Sequence, residues 1–246
     1  MMRSFLKILV LVILALPYSA NAKPIITDLA IRSIDIDHDF TGLDILMFGA
    51  RNDVGDIVIV VRGPEKPMVV RKKERILGVW TNTHSTSFND VYQYYSVAST
   101  KPLENLRNDS LLKTLGIGVD NLSPLTFTEV DQNEIVESKS AIIREKQKQN
   151  LYSKSMNKIS FLEETLFRTV LKFPKNIPRG WYSVETYLFS DGQLTSMQST
   201  PVHVSKIGFE AFMFDFAYKY SAFYGILSVL IAVFAGALAS WVFRRV

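Results

Sequence analysis

Apolar and polar positions alternate over short distances through the first half of the chain. Ile31-Arg32-Ser33-Ile34-Asp35-Ile36-Asp37 has a period of two, residues 43–50 and 55–62 are richer apolar runs, and Asn52-Asp53 offers a turn between them. Met68-Val69-Val70, residues 76–80 and residues 92–98 continue the series as strands. The pattern returns at 166–173, 181–189 and 193–205, with Asp191-Gly192 joining the last two. Asp-Gly suits a type I′ hairpin, which needs positive φ at both central positions.

Two stretches depart from this rhythm. Residues 102–122 read as short helical pieces ended by Gly116 and Gly118. A polar helical insertion is predicted at about 132–155, with Ile135, Ile142, Ile143 and Leu151 as scattered apolar points. The whole predicts a mainly β fold: an Ig-like antiparallel β-sandwich ectodomain over 23–207, interrupted by that insertion. Tyr182 adds a specific sign. It stands two positions before Val184, the spacing of the tyrosine corner in immunoglobulin-like folds, with Val184 where antibody domains carry a cysteine.

The two ends differ from the middle and from each other. Residues 1–22 read as a signal peptide: Arg3 and Lys7 precede a short apolar core, Pro17 breaks it, and Ala20-Asn21-Ala22 presents small residues for cleavage. Residues 222–243 contain no charge and reach the length a bilayer span requires, about 20 residues. Trp241 and the tyrosines 218, 220 and 224 suit the two interfaces, and a tail at 244–246 follows. Arg244-Arg245 marks the cytoplasmic side. The expected location is therefore the inner membrane, single-pass, with a periplasmic ectodomain and a cytoplasmic C-terminus. Between ectodomain and span, Phe209, Phe212, Met213 and Phe216 recur at helical spacing, making 208–221 a juxtamembrane amphipathic segment. It lies on the bilayer, packs on the domain or extends the span.

Charge adds little to the ectodomain. The chain has 28 Lys and Arg against 24 Asp and Glu, and the four basic residues of the terminal segments account for the whole excess. The basic character is thus topological, and nucleic acid is not an expected partner. With Cys 0, disulfides, metal–thiolate sites and thiol catalysis are excluded together.

The run from Asp39 to Ala50, with residues 56–64, 71–80, Tyr95-Ser96-Val97-Ala98-Ser99, Leu115-Gly116-Ile117-Gly118 and Gly208-Phe209-Glu210-Ala211-Phe212, resembles a family of transmembrane proteins of Alphaproteobacteria. The similarity spans nearly the whole mature chain and is weakest at 132–155. The resemblance implies a secreted, C-terminally anchored domain of unassigned activity. It supplies no catalytic residues.

Candidate chemistry is sparse. Asp35, Asp37 and Asp39 alternate like a calcium loop, but the sixth and twelfth positions are Phe40 and Leu46, so a solvated strand face accounts for them better. His38, His84 and His203 have no metal-ligand spacing. Ser155 and Lys158 match Ser-x-x-Lys without the elements that accompany it in serine enzymes, and Gly116-Ile117-Gly118 alone makes no nucleotide loop. No catalytic, cofactor-binding or metal residue is expected. Two surfaces remain. Arg71, Lys72, Lys73 and Arg75 form a candidate basic surface, either for an anionic partner or as edge-strand protection. Ser228, Ala232, Gly236 and Ser240 recur every four residues as a candidate helix-packing face.

These features favour a non-enzymatic accessory or binding module, held in the lipid bilayer and docking through its helix onto another integral membrane protein such as a transporter. The alternatives are a periplasmic-face enzyme using Asp35, Asp37, Asp44 and His38, or an envelope ligand sensor using the basic surface.

Overall fold

Twelve strands, three short helical elements, one polar helix and two C-terminal helices follow each other in the computed structural model of the chain, which describes residues 25–106, 108–123 and 131–244. The expected signal peptide at 1–22 and the tail residues Arg245 and Val246 lie outside the described residues.

One sheet joins β1 (Ile25–Leu29), β3 (Gly42–Arg51), β10 (Leu166–Pro174) and β9 (Ser160–Phe161), in the order β1-β3-β10-β9. The other joins β2 (Ser33–Ile36), β4 (Asp56–Arg62), β7 (Tyr95–Ser99), β8 (Asn157–Lys158), β11 (Gly180–Ser190) and β12 (Gln193–Lys206), in the order β2-β12-β11-β4-β7-β8. The first sheet corresponds to A-B-E-D of an immunoglobulin domain, and β12-β11-β4-β7 to G-F-C-C′ of the variable type. Alternate residues of both sheets interdigitate in the core: Ile45 and Met47 from β3, Phe167 and Leu171 from β10, Ile57 and Ile59 from β4, Val184 and Leu188 from β11.

The tyrosine corner is present. Tyr182 is buried at the start of β11 and its hydroxyl donates to the Pro178 carbonyl at 2.6 Å, while Val184 is buried two residues later. The Asp191-Gly192 turn also forms as read, with φ of 50° and 78°. On the flank, the Gln198 side-chain amide bonds both the N–H (3.0 Å) and the carbonyl (2.9 Å) of Thr27, tying β12 to β1 across the layers.

The second sheet is covered on its outer face too. Val58, Val60, Tyr95, Val97, Tyr187 and Phe189 point away from the sandwich core and pack beneath Leu106, Leu112, Ile117 and Tyr152. These belong to a 3-10 turn (Leu103–Leu106), α1 (Asp109–Thr114), the chain around a second 3-10 turn (Val119–Asn121) and the segment after α2 (Gln132–Lys148). A strand buried on both faces cannot alternate, which explains the unbroken Ile-Val run of β4.

Three expectations need correction. Residues 76–80 are not one strand: they contain a turn at Leu77 and Gly78, with φ of 50° and 88°. That turn joins β5 (Glu65–Ile76) to β6 (Val79–Tyr92), a long two-stranded ribbon of which only 68–70 was anticipated in β5. Residues 92–98 are likewise divided, between the end of β6 and β7. The polar helix ends at Lys148, because Asn150 turns to a φ of 57° and Tyr152 returns to bridge Tyr95. For 208–221, left open among three placements, residues beyond Lys206 form α3 (Phe209–Lys219) and α4 (Ser221–Phe243), separated at Tyr220 (φ −126°, ψ 48°), so the segment is a helix distinct from the long apolar one.

Candidate functional site

The outer face of β4 and β11 carries the one buried ion pair among the described residues. Arg62 follows Val58 and Val60 on that face, and Glu185 is its diagonal neighbour across the β4–β11 ladder. The two side chains form a salt bridge and keep 10 % and 14 % of their exposure, respectively. The guanidinium also donates to the carbonyls of Leu115 (2.6 Å) and Gly116 (3.4 Å) and to the Tyr187 hydroxyl (3.3 Å), and it lies 5.9 Å from the Tyr92 ring. Glu185 accepts from Ser183 at 2.9 Å and from Tyr187. Both carboxylate oxygens of Glu185 and both terminal guanidinium nitrogens of Arg62 are thereby served, as holding charge out of water requires.

The Gly116-Ile117-Gly118 turn is the other half of this arrangement. Gly116 and Gly118 take φ of 60° and 100°, and the Tyr95 hydroxyl accepts from the Gly118 N–H while donating to the Gly116 carbonyl, both at 2.8 Å. The glycines allow the turn, and Arg62 with Tyr95 satisfies its backbone. No phosphate role is needed to explain them.

A cavity of about 410 Å³ opens beside Arg62, walled by Glu65 and Tyr92 of the ribbon, Lys113 and Asn121 of the helical cap, and Lys139 of α2. Its volume is that of a small-molecule pocket, and its charges are mixed. Burial holds the Lys139 ammonium below the usual lysine range, opposed by Asp120. The wall offers hydrogen bonds and aromatic surface, but it does not pair a nucleophile with a base.

The aromatic core beneath has its own pH limit. Burial pushes the hydroxyls of Tyr94 and Tyr95 up to about 12. A phenol whose pKa is raised on folding contributes its stability below the unfolded value of 10.0 and loses it as pH climbs toward 12. The domain is expected to unfold in that window. Phenolate absorbance should rise together with loss of the near-ultraviolet dichroism; phenolates forming in an intact fold would contradict the assignment.

The residues singled out from sequence do not gather here. Asp35 leaves the outer face of β2 and accepts from Ser205 at 2.9 Å, whereas Asp44 leaves the outer face of β3 in the opposite sheet. His38 and Asp39 form a 3.1 Å pair with both side chains near 80 % exposed. The alternative of acid catalysis around 35–44 therefore lacks the convergence it requires. His84 is exposed on β6, His203 packs on Trp181 at 4.6 Å, and no group of three or more His, Asp or Glu among the described residues could hold a metal ion. Ser155 lies in a bend and Lys158 in β8, so the pair does not share a helical turn.

Arg71, Lys72, Lys73 and Arg75, the candidate basic surface, lie on β5. Lys72 reaches Glu137 of α2 at 3.0 Å and Arg75 donates to the Gly78 carbonyl at 3.1 Å, while Arg71 and Lys73 make no ion pair with a described residue. Ser228, Ala232, Gly236 and Ser240 lie along α4, all exposed, with Ser228 donating to the Tyr224 carbonyl at 2.8 Å. Sequence reasoning missed the buried pair. The available signal was a charge closing the apolar run of β4 and another inside the apolar run of β11.

Fold and termini together define a class: an Ig-like β-sandwich bearing one C-terminal helix, 23 residues with mean hydropathy 2.4, long and apolar enough to cross a membrane. The chain belongs to the family described as "Putative transmembrane protein (Alph_Pro_TM)", whose model matches residues 24–245. No curated protein sequence matches it. Similar solved structures include one described as "Structural basis of T cell specificity and activation by the bacterial superantigen toxic shock syndrome toxin-1", at 6% identity and TM-score 0.25, covering 74% of this chain and 99% of that one. Another is VCBP3 domain 1 from Branchiostoma floridae, at 10% identity and TM-score 0.26, covering 76% and 98% respectively. At such scores neither likeness bears on the fold, which rests on strand order and the tyrosine corner.

Proposed function

We propose that this protein is a membrane-anchored binding module, a periplasmic Ig-like domain that docks through its C-terminal helix onto another integral membrane protein such as a transporter. The observation that carries the reading is α4: its most apolar window is 0% buried within the chain, so its whole circumference is available to lipid and to neighbouring helices. Small residues at 228, 232, 236 and 240 supply a face on which another helix can approach closely. The signal-like residues 1–22 and the arginines at 244 and 245 support a periplasmic ectodomain and a cytoplasmic tail.

The test compares the native chain with one whose residues 221–243 are replaced by polyleucine, each purified from membranes in mild detergent. Both should anchor, and only the native helix should retain its membrane partner. Identical co-purifying proteins from the two forms would refute docking through the helix.

A further inference from the structure

The β5–β6 ribbon ends in a tip that none of the described residues covers. Near its root, Met68, Val70, Phe88 and Val91 pack on Ile135 and Ile142 of α2, and Lys72 reaches Glu137. Beyond Lys72 that support stops. Ile76 is 50%, Leu77 99%, Val79 68% and Trp80 68% exposed. Behind these four stand Arg71, Lys73 and Arg75, with Glu74 the one acid among them. An apolar end with a basic collar is the pattern of a surface that enters the headgroup layer, and an indole favours that depth.

Leu77 strengthens the point. It holds a φ of 50° at the first turn position, where Asn or Asp would be the favourable residue beside Gly78. A leucine is strained there and nearly fully in water. No packing within the described chain repays either condition.

The topology brings the ribbon and the tether to one end of the sandwich. In the second sheet Arg62 pairs with Ser183 and Gly180 with Val204, so the end of β4, the start of β11 and the end of β12 lie together. Hydrogen bonds from the Gly63 N–H to the Tyr94 carbonyl and from the Gln93 N–H to the Pro64 carbonyl continue the β4–β7 ladder directly into the ribbon. The ribbon and the chain leading to the span therefore leave the same end of the sandwich. Arg179 at that end lies 5.3 Å from the Phe214 ring of α3.

Lengths agree with this placement. From Lys206 to Ser221 the chain is α3 and three linking residues, which span at most about 27 Å at helical and extended rises. The 12 residues of β5 make an arm of about 40 Å from the same end. The arm is longer than the tether.

We propose that the ribbon tip is a second membrane contact, in which Ile76, Leu77, Val79 and Trp80 enter the headgroup region of an anionic phospholipid bilayer and Arg71, Lys73 and Arg75 bind the lipid phosphates. This rests on the reading that α4 spans the bilayer. A protein partner would need a groove shaped to a narrow two-stranded end; a bilayer needs only depth and negative charge. The contact would fix the domain against the membrane at two points, helix and ribbon, and so set its orientation.

The chain contains Cys 0, so single-cysteine variants can be spin-labelled at chosen sites in the full-length protein. Leu77→Cys probes the tip, Val54→Cys the opposite end of the sandwich, and Val233→Cys the middle of α4. Each is reconstituted into phosphatidylcholine vesicles with and without phosphatidylglycerol, and relaxation by oxygen and by an aqueous nickel chelate is compared. The Leu77 label should move from water into lipid when phosphatidylglycerol is present, while Val54 stays aqueous and Val233 stays in lipid throughout. Neutralising Arg71, Lys73 and Arg75 to Gln should lower the docked-to-free ratio of the tip roughly a hundredfold.

A Leu77 label that remains aqueous in both vesicles, with Val233 in lipid, overturns the ribbon contact alone and leaves the tip to a protein partner. Equal insertion without phosphatidylglycerol overturns the anionic-lipid assignment. An aqueous Val233 label overturns the anchor reading and this proposal with it.

Discussion

Replacing Arg62 with Met is expected to destabilise the sandwich by about 3 kcal/mol, the lower end of the range for breaking a buried pair, because both partners keep some exposure. The loss has two parts. Glu185 would keep a charge in a setting where only Ser183 and Tyr187 remain to bond it, and the Leu115 and Gly116 carbonyls would lose their donor. Neither part is replaced by methionine. The double substitution Arg62→Met with Glu185→Leu removes both charges and should recover much of the stability, since apolar replacements of whole buried pairs are often neutral. Denaturant unfolding of the detergent-solubilised chain measures both variants. A single-variant loss below about 1 kcal/mol would mean that the pair behaves as an exposed one.

The second large effect is expected at Phe167, whose ring is fully buried between the sheets. Phe167→Ala should cost about 3–5 kcal/mol, the usual range for deleting a core phenyl ring. The site has little room to collapse. Gly49 lies directly beneath the ring, and a β-carbon there would come within 2.5 Å of the Phe167 Cζ and 2.7 Å of the Ile26 carbonyl oxygen. The glycine is thus paired with the phenyl ring, and the truncated site keeps the backbone on one side and the Phe161 ring, 6.3 Å away, on the other. The same unfolding measurement decides it; a cost under 1.5 kcal/mol would imply extensive repacking, as for volume-conserving swaps.

Much of the sandwich was legible because its determinants are local. Asp191-Gly192 specifies its hairpin through backbone conformation alone, and the spacing from Tyr182 to Val184 marks the corner of β11 without reference to any distant residue. The ribbon was not legible for the opposite reason. Residues 81–87 of β6 are Thr, Asn, His and Ser without an apolar period, and their order comes from pairing with β5 and from α2 on one face. Its turn was hidden because leucine at positive φ carries no compositional signature. Arg62 and Glu185 are distant in sequence, and only the β4–β11 register makes them neighbours. The basic residues of β5 stand out in the sequence, but residues 76–80 beside them read as a strand and hid the turn at Leu77 and Gly78. Helix length at the C-terminus was read to within one residue at its start, since an uncharged run needs no tertiary information to be seen.

The Gln198 amide bonded to Thr27 has a consequence for crowding. Helix anchoring confines copies of a domain to two dimensions and brings their flanks together far more often than in solution. An open β1 edge would then invite strand addition from one copy to the next and, repeated, a linear polymer across the membrane surface. A side-chain amide that occupies one N–H and one carbonyl of that edge denies a neighbour the β1 ladder. At the β1 edge, dense packing on a membrane therefore does not lead to strand addition from one copy to the next.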